Sequence, residues 1–421
     1  MLKFIHAADV HLDSPLLRLE TYEGVPAGEI RQASRRALEN LIDLALDEAV
    51  DFVLVAGDLF DGSWKDYNTG LYLIGQVSRL KDAGIPLFLI SGNHDAAGRM
   101  TRSLPYPDNV HHFSHIKPES ITLENLNVAV HGQSFATPAT LDNLALAYPD
   151  PIPGCFNIGL LHTSLTGREG HETYAPCSLQ DLTNRDYDYW ALGHVHQYEM
   201  VHEDPPVVFP GCLQGRHVRE TGRKGCVLVT VVEGEAPRVV RHPLDVIRWE
   251  RLPVDLEGAE SEKECLDRFV KSMEDCVHVH EPLPVIARVV FTGETVAHEL
   301  INGDPKYWKE AVRATAIAAF GDSVWVEKIK LLTQAKARVR EKHSRPGPLV
   351  ELEKLVHDIR KDDASLLELG RELDGLFRKL PVEYRQGEGA VDPDIPQSMA
   401  QLVAQAHALL VKGLKGERPQ S

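Results

Sequence analysis

The chain has 421 residues, 43% of them hydrophobic, with 45 Lys and Arg against 62 Asp and Glu and a formal net charge of −17. This length predicts two or three domains with ordinary globular cores; no stretch approaches the ~20 apolar residues of a membrane helix and no N-terminal signal is visible. Six cysteines, at 155, 177, 212, 226, 265 and 276, include no CxxC pair, so neither a zinc ribbon nor a disulfide framework is suggested, and a reduced, cytoplasmic protein is expected.

Residues 2–8 form a short apolar strand leading into Asp9-Val10-His11, and residues 35–50 carry Leu38, Leu41, Ile42, Ala45 and Leu46 at helical spacing. A second strand, 52–56, runs into Gly57-Asp58-Leu59-Phe60-Asp61, helical spacing returns over 71–80, and 86–90 runs into Gly92-Asn93-His94-Asp95. Residues 157–161 lead to His162, and 187–192 lead to Gly193-His194-Val195-His196. Strands alternating with helices predict an α/β fold, in which ligands collect outside the carboxyl ends of the strands. All five motifs fall at such ends. Gly57, Gly92 and Gly193 each precede a motif residue, where a sharp backbone turn leaves no room for a side chain.

Composition shifts after residue 245. Residues 249–254, 285–291 and 324–331 read as strands, with amphipathic helices over 262–276 and 307–319, so a small α+β domain is expected. Past Lys342, HSRPGP reads as a linker. Leu352, Ile359, Leu366, Leu373 and Leu380 then recur every seven residues, with Leu355, Leu369 and Leu376 three later, an a/d seam broken only at Asp362 and weakened by Gly370 and Gly375. A second amphipathic stretch covers 399–414. The division expected is 1–245, 246–340 and 341–421.

The motif residues are oxygen and imidazole donors of the kind divalent metals use. Two such ions, roughly 3.5 to 4 Å apart, can clamp a phosphoryl group with a carboxylate between them. Asp58 is the natural bridge. Asp9, His11 and His196 would complete one shell and Asn93, His162 and His194 the other, leaving the site at about +2, suited to a phosphodiester anion. His94 is left over, free to donate a proton to the leaving oxygen or to stabilise the charge developing there.

In this order, DVH, GDLFD, GNHD, the isolated histidine of LLHTS and GHVH resemble the calcineurin-like metallophosphoesterase superfamily, and within it the bacterial DNA repair exonucleases of SbcD and YhaO type. HAADVHLDSPL, YAPCSL, DYDYWALGHVHQ and PGCLQGRHVRETGRKGC are closer to the YhaO branch. The resemblance spans residues 1 to about 230. It implies a β-sandwich flanked by helices, a capping domain that contacts DNA, and a helical tail that binds the coiled-coil base of an SMC-like ATPase. It also implies metal ligands at Asp9, His11, Asp58, Asn93, His162, His194 and His196, and a catalytic histidine at His94. Asp61 departs from the archaeal and eukaryotic pattern, which has a second histidine there. Mn2+ is the expected metal, since mixed carboxylate, amide and imidazole ligands suit it, and the expected activity is a 3′ to 5′ DNA exonuclease. Relatives of this type often form a homodimer near the GNHD motif, but residues 96–115 give no clear amphipathic signal here.

Plainer readings compete. A single histidine among 20 is more often a surface or satisfied core residue than a ligand, and this reading is preferred for His6, His111, His112, His115, His131 and His171. Asp13, Asp61 and Asp95 either orient ligands or serve turns and caps. Arg216, His217 and Arg219 belong either to a solvated turn or to a basic rim that holds a phosphate backbone. The acidic charge argues against strong DNA binding by this chain alone. The rival function is a stand-alone phosphoesterase for a small nucleotide or phosphoprotein; a scaffold that has lost the chemistry is the third reading.

Overall fold

The computed structural model describes residues 1–14, 27–62, 67–96, 104–166, 173–336, 348–377, 379 and 392–414. Apolar residues alternate between two faces along the first three strands, β1 (Leu2–Ala7), β2 (Phe52–Ala56) and β3 (Leu87–Ile90). Phe4, Phe52, Leu54, Phe88 and Ile90 face a second sheet, while Ile5, Val53, Val55, Leu87 and Leu89 pack on helices. This is the period-2 signature of a sheet buried on both faces. The covering helices, α1 (Ala27–Asp47) and α2 (Tyr67–Asp82), supply Leu38, Leu41, Ile42, Leu73, Val77 and Leu80.

The first sheet is completed by β4 (Val110–His112), β11 (Gly225–Val231) and β12 (Arg238–Pro243), in the order β12-β11-β1-β2-β3-β4. The second contains β5 (Glu119–Leu123), β6 (Val128–Gly132), β7 (Phe156–His162), β8 (Tyr189–Gly193), β9 (Glu199–Glu203) and β10 (Pro206–Phe209), in the order β5-β6-β7-β8-β10-β9. The two faces meet through Val128, Val130, Ile158, Leu160, Tyr189 and Val208. β1, β2 and β3 run parallel, as do β6, β7 and β8, so their carboxyl ends gather at one edge. Two short helices lie beside this core, α3 (Asn93–Ala96) and α4 (Leu179–Thr183). The fold is the helix-flanked sandwich expected. The antiparallel strands β11, β12, β5 and β9 carry no motif, and β11 pairs with β1 across more than two hundred residues, which local periodicity cannot register.

His6 illustrates the histidines without a motif. Its Nδ1 accepts from the Tyr189 hydroxyl at 3.0 Å and its Nε2 donates to the Leu192 carbonyl at 3.0 Å, fully buried. Burial drops this imidazole to about 3. The unfolded chain therefore binds a proton that the folded chain refuses, so the contribution is complete above pH 6.5 and is lost at about 1.4 kcal/mol per pH unit as pH falls toward 3. Denaturant melts between pH 7 and 4.5 should show a smaller loss in His6→Gln than in wild type; equal losses would remove His6 from the account. His131 is likewise satisfied, between the Ser120 hydroxyl and Asn157, whereas His171 lies outside the described residues.

Beyond the sandwich, β13 (Arg248–Asp255), β14 (Val285–Thr292) and β16 (Val324–Leu331) form a parallel three-stranded sheet, with a small pair β15 (Glu294–Thr295) and β17 (Gln334–Ala335). Helices α5 (Glu262–His280), α6 (His298–Gly303) and α7 (Pro305–Phe320) cover one face through Phe269, Met273, Ile301, Trp308 and Val312. Trp249, Ile286 and Trp325 on the other face pack against Ala33, Val246 and Ile247.

Residues 337–421 form a separate compact unit. The seven-residue seam does not run as one helix: α8 (Pro348–Lys361) ends, and α9 (Asp363–Phe377) starts anew. Asp362 accepts from the Ser365 N–H at 3.2 Å and hydroxyl at 2.5 Å, which caps the second helix and stops the first. With α10 (Pro396–Leu414) they close a small core of Leu366, Met399 and Val403, backed by Val356, Ile359, Leu369 and Leu373. Gly370 is required there, because a Cβ would strike the Pro393 carbonyl. Leu380 lies outside the described residues. Among those described, no helix is long and apolar enough to cross a membrane.

Candidate metal centre

Four of the motif residues adopt left-handed backbone conformations: Asp9 (φ 50°), His11 (46°), Asp58 (52°) and His194 (101°). Non-glycine residues rarely do so, and such strain concentrates where a side chain must be aimed. Hydrogen bonds hold these turns in place. Asp9 and His11 donate their N–H groups to the carbonyls of Gly57 and Asp58, each at 3.0 Å, and the His194 N–H donates to both Asp9 carboxylate oxygens at 3.0 and 3.2 Å. The three glycines mark close approaches. A Cβ on Gly57 would strike the His162 ring, one on Gly92 would strike Asp58 Oδ1, and one on Gly193 would strike the Ala56 carbonyl oxygen. Since backbone cannot retreat as a flexible side chain can, Gly193→Ala should cost about 2 kcal/mol or more in a denaturation measurement; a change inside about 0.5 kcal/mol would mean the sheets have slack here.

The side chains converge from both sheets. His162 Nε2 lies 3.4 Å from Asp58 Oδ2 and 3.1 Å from Asn93 Oδ1, while its Nδ1 donates to the Ala56 carbonyl at 2.8 Å. That bond fixes the tautomer and leaves Nε2 facing the cluster. His196 Nε2 lies 3.6 Å from Asp9 Oδ1 and 3.2 Å from His11 Nε2. His194 packs edge-on to His162, ring centroids 5.3 Å apart. Asp9, Asp58, His11 and His162 are all buried. The structure thus brings the sequence-predicted ligands together: Asp9, His11 and His196 form one group of neighbouring donors, and Asp9, Asp58 and His162 another.

His94 stands at the mouth of the cluster, its side chain 38% exposed, with Nδ1 2.8 Å from Asp61 Oδ1. Its backbone N–H donates to Asp58 Oδ1 at 2.9 Å. The Asp61 hydrogen bond raises the His94 pKa against the effect of burial. Burial also works against ionisation of Asp61, but bonds from His94 and Ser14 and the charge of Arg216 hold it below its ordinary value.

Of the carboxylates expected to orient ligands, Asp61 lies 3.8 Å from His11 Nδ1 and pairs more closely with His94. Asp13 does not touch a ligand: it pairs with Arg35 (2.7 and 2.5 Å) and Thr69 (2.5 Å), tying the first turn to α1 and α2. Asp95 accepts from the backbone N–H groups of Leu59, Phe60 and Gly92, bracing the Asp58 loop against the Asn93 turn, and burial together with the nearby Asp58 charge pushes it up to about 7. The basic segment divides. His217 and Arg219 are exposed, but Arg216 is turned inward, to Glu220 at 3.2 Å and Asp61 at 3.6 Å, so it is no part of an open rim. Glu220 was not anticipated. Its Oε1 lies 2.6 Å from His196 Nδ1, and the bonds from His196 and Arg216 outweigh burial and keep it ionised. No spacing rule reveals a partner 24 residues away.

These residues fit a pair of divalent cations. Two buried carboxylates share one small volume, His11 Nδ1 is buried without a hydrogen-bond partner, and the imidazoles of His11 and His196 point ring nitrogens at each other. Burial lifts Asp9 above the usual carboxylate range; burial opposes ionisation of Asp58 as well, yet His162 and His94 draw it well below. Although burial disfavours its charge, Asp58 and Asp9 raise His162 to about 9, the mark of a field that attracts positive charge.

Comparison with known proteins bears on the same stretch. Residues 2–198 match the calcineurin-like phosphoesterase family, and residues 249–334 match the middle domain of metallophosphoesterase YhaO. An uncharacterized metallophosphoesterase YhaO of Bacillus subtilis is 39% identical over 264 residues, 62% of this chain and 64% of that protein, so the chain spans a little under two thirds of that relative's length. DNA double-strand break repair protein Mre11 of Methanopyrus kandleri is 25% identical over 389 residues, covering 85% of this chain and 76% of that one. The Mre11 protein of Sulfurisphaera tokodaii is 23% identical over 332 residues, covering 73% and 79%. The stretch that matches the calcineurin-like phosphoesterase family, residues 2–198, is the one that carries all five motif turns.

Proposed function

We propose that this chain is a two-metal DNA phosphodiesterase, a 3′ to 5′ exonuclease that trims ends in DNA repair in the cytoplasm, using Mn2+ and working with an SMC-like ATPase. The observation that carries this reading is the convergence of buried Asp9 and Asp58 with imidazoles from both sheets, beside a half-exposed His94 held by Asp61. Asp9, His11 and His196 would hold one cation and Asn93, His162 and His194 the other, with Asp58 between them. When bound, the cations neutralise the phosphoryl oxygens and lower the pKa of an attacking water. The chain does the rest. His94, its Nδ1 committed to Asp61, presents Nε2 to the substrate and gives its proton to the leaving oxygen.

The choice of DNA is supported by the similarity to the DNA double-strand break repair proteins Mre11. Residues 1–245 would be the nuclease, 246–340 the cap over its substrate, and 341–421 the partner-binding segment. The cations answer part of the −17 charge, and the ATPase supplies the remainder. In the last segment, Leu355, Leu376 and Leu410 stay 57%, 60% and 53% exposed outside its own small core, apolar side chains suited to a partner helix. Deleting residues 346–421 should abolish association with the ATPase; retained association would put the contact elsewhere. The direct test is Mn2+-dependent hydrolysis of end-labelled DNA beside bis-p-nitrophenyl phosphate. Trimming of DNA supports the nuclease, and hydrolysis of the small diester with DNA untouched, even with the ATPase present, points to a small substrate.

A further inference from the structure

The loop joining β10 to β11, residues 210–224, turns one side to the metal centre and the other to β13. On the β13 side, Gln214 accepts from the Val246 N–H at 2.9 Å and donates to the Ile247 carbonyl at 2.9 Å, and the Gly215 carbonyl accepts from the Trp249 indole at 2.9 Å. These bonds anchor the backbone immediately before Arg216. On the other side, the Arg216 N–H donates to Glu220 Oε2 at 2.7 Å, its guanidinium reaches Glu220 Oε1 at 3.2 Å, and it lies 3.6 Å from Asp61 Oδ2.

Glu220 Oε1 is also the partner of His196 Nδ1, at 2.6 Å. Arg216 Nη2 is 3.3 Å from that same ring nitrogen, but a guanidinium only donates, so the acceptor both share is the carboxylate. The proton of His196 is then on Nδ1, and the lone pair on Nε2 faces Asp9 and His11. Asp61 in turn holds His94 through Nδ1. Arg216 thus joins the carboxylate behind a ligand to the carboxylate behind the proton donor, at 17% side-chain exposure against 6% for Glu220.

We propose that Glu220 and Arg216 are positioning residues of this centre: Glu220 sets which nitrogen of His196 faces the cation, and Arg216 fastens Glu220 to Asp61 and so sets the orientation of His94. The metal half of this proposal stands on geometry alone; its kinetic half rests on the phosphodiesterase reading above. Outer partners of metal-ligating histidines are typically worth ~10–100-fold in metal affinity or activity.

The test is Mn2+ titration by calorimetry, beside steady-state hydrolysis of bis-p-nitrophenyl phosphate, on the full chain and on Glu220→Gln and Arg216→Lys. Glu220→Gln should weaken one Mn2+ by ~10–100-fold and leave the other at its wild-type affinity, since Asn93 and His162 make no contact with Glu220. Both ions unchanged, or both weakened alike, overturns the role of Glu220. Arg216→Lys keeps the charge and loses the fork, so kcat should fall about tenfold with KM within twofold; an unchanged kcat overturns the role of Arg216. Should Glu220→Gln fail to fold, Arg216→Lys carries both readouts, since it too must weaken one Mn2+ selectively by releasing Glu220. A wild-type chain that binds two Mn2+ yet hydrolyses no diester defeats the phosphodiesterase reading, and the titrations still decide the proposal.

Discussion

Replacing His94 with alanine should leave both cations bound and cut turnover by about 10²–10⁴-fold, the range set by the loss of a positioned proton donor. The backbone explains why metal binding survives. The His94 contact that supports the metal cluster is its main-chain N–H, donated to Asp58 Oδ1 at 2.9 Å, and alanine keeps that bond. The imidazole is held by Asp61, outside the donor groups formed by Asp9, His11 and His196 and by Asp9, Asp58 and His162. His94 does lie in donor range of His11 and Asp58, so the measurement discriminates between two roles. Elemental analysis showing two Mn2+ per chain with turnover lost identifies a proton donor. One ion lost identifies a ligand and overturns the assignment.

Asp58→Asn should weaken both cations at once, by more than the ~10–100-fold typical of losing an outer partner. The carboxamide has the shape of the carboxylate but removes one of the two buried negative charges at the centre of the cluster. Oδ2 of Asp58 faces His162 at 3.4 Å, and Oδ1 accepts from His94 on the other side. Asp58 shares one donor group with Asp9 and His162 and another with His11 and His94, so a carboxylate there would serve both cations, and its charge is felt strongly where water is excluded. A titration in which one ion keeps its wild-type affinity would contradict the bridging position.

The site was legible in the sequence because its residues follow strand ends, and strand ends are marked by a change from an apolar run to polar residues behind a glycine. Asp58, Asn93 and His194 announce themselves in this way, and Asp9 and His162 by the end of the apolar run alone. The carboxylates around them do not. Asp13, Asp61 and Asp95 have the same composition and similar sequence distance from a ligand, but one grips Arg35, one holds His94, and one braces three backbone N–H groups. Which task each performs depends on how the chain returns from elsewhere. Glu220 was hidden for the same reason, and in the basic segment, open between a solvated turn and a phosphate rim, Arg216 turns inward to Glu220 and Asp61 while His217 and Arg219 stay exposed. In the last unit the seven-residue spacing was real, but Asp362 caps a new helix and turns the seam onto itself, so the period recorded burial without recording its partner.

The division of ligands between the two sheets has a consequence for the order in which the protein comes apart. Asp9, His11, Asp58 and Asn93 follow strands of the first sheet, whereas His162, His194 and His196 come from the second. Neither layer alone carries a complete coordination set. A cation pair held by these residues would act as a clasp across the sandwich, its binding free energy added to the apolar seal of Phe4, Phe52, Ile158 and Tyr189. Partial opening that separates the layers forfeits that energy at once, whereas fraying of an outer strand such as β12 or β9 forfeits none of it. Metal loading would thus raise the cost of sub-global opening between the sheets selectively, and amide exchange at the facing strands β2 and β8 should slow more than exchange at the edges.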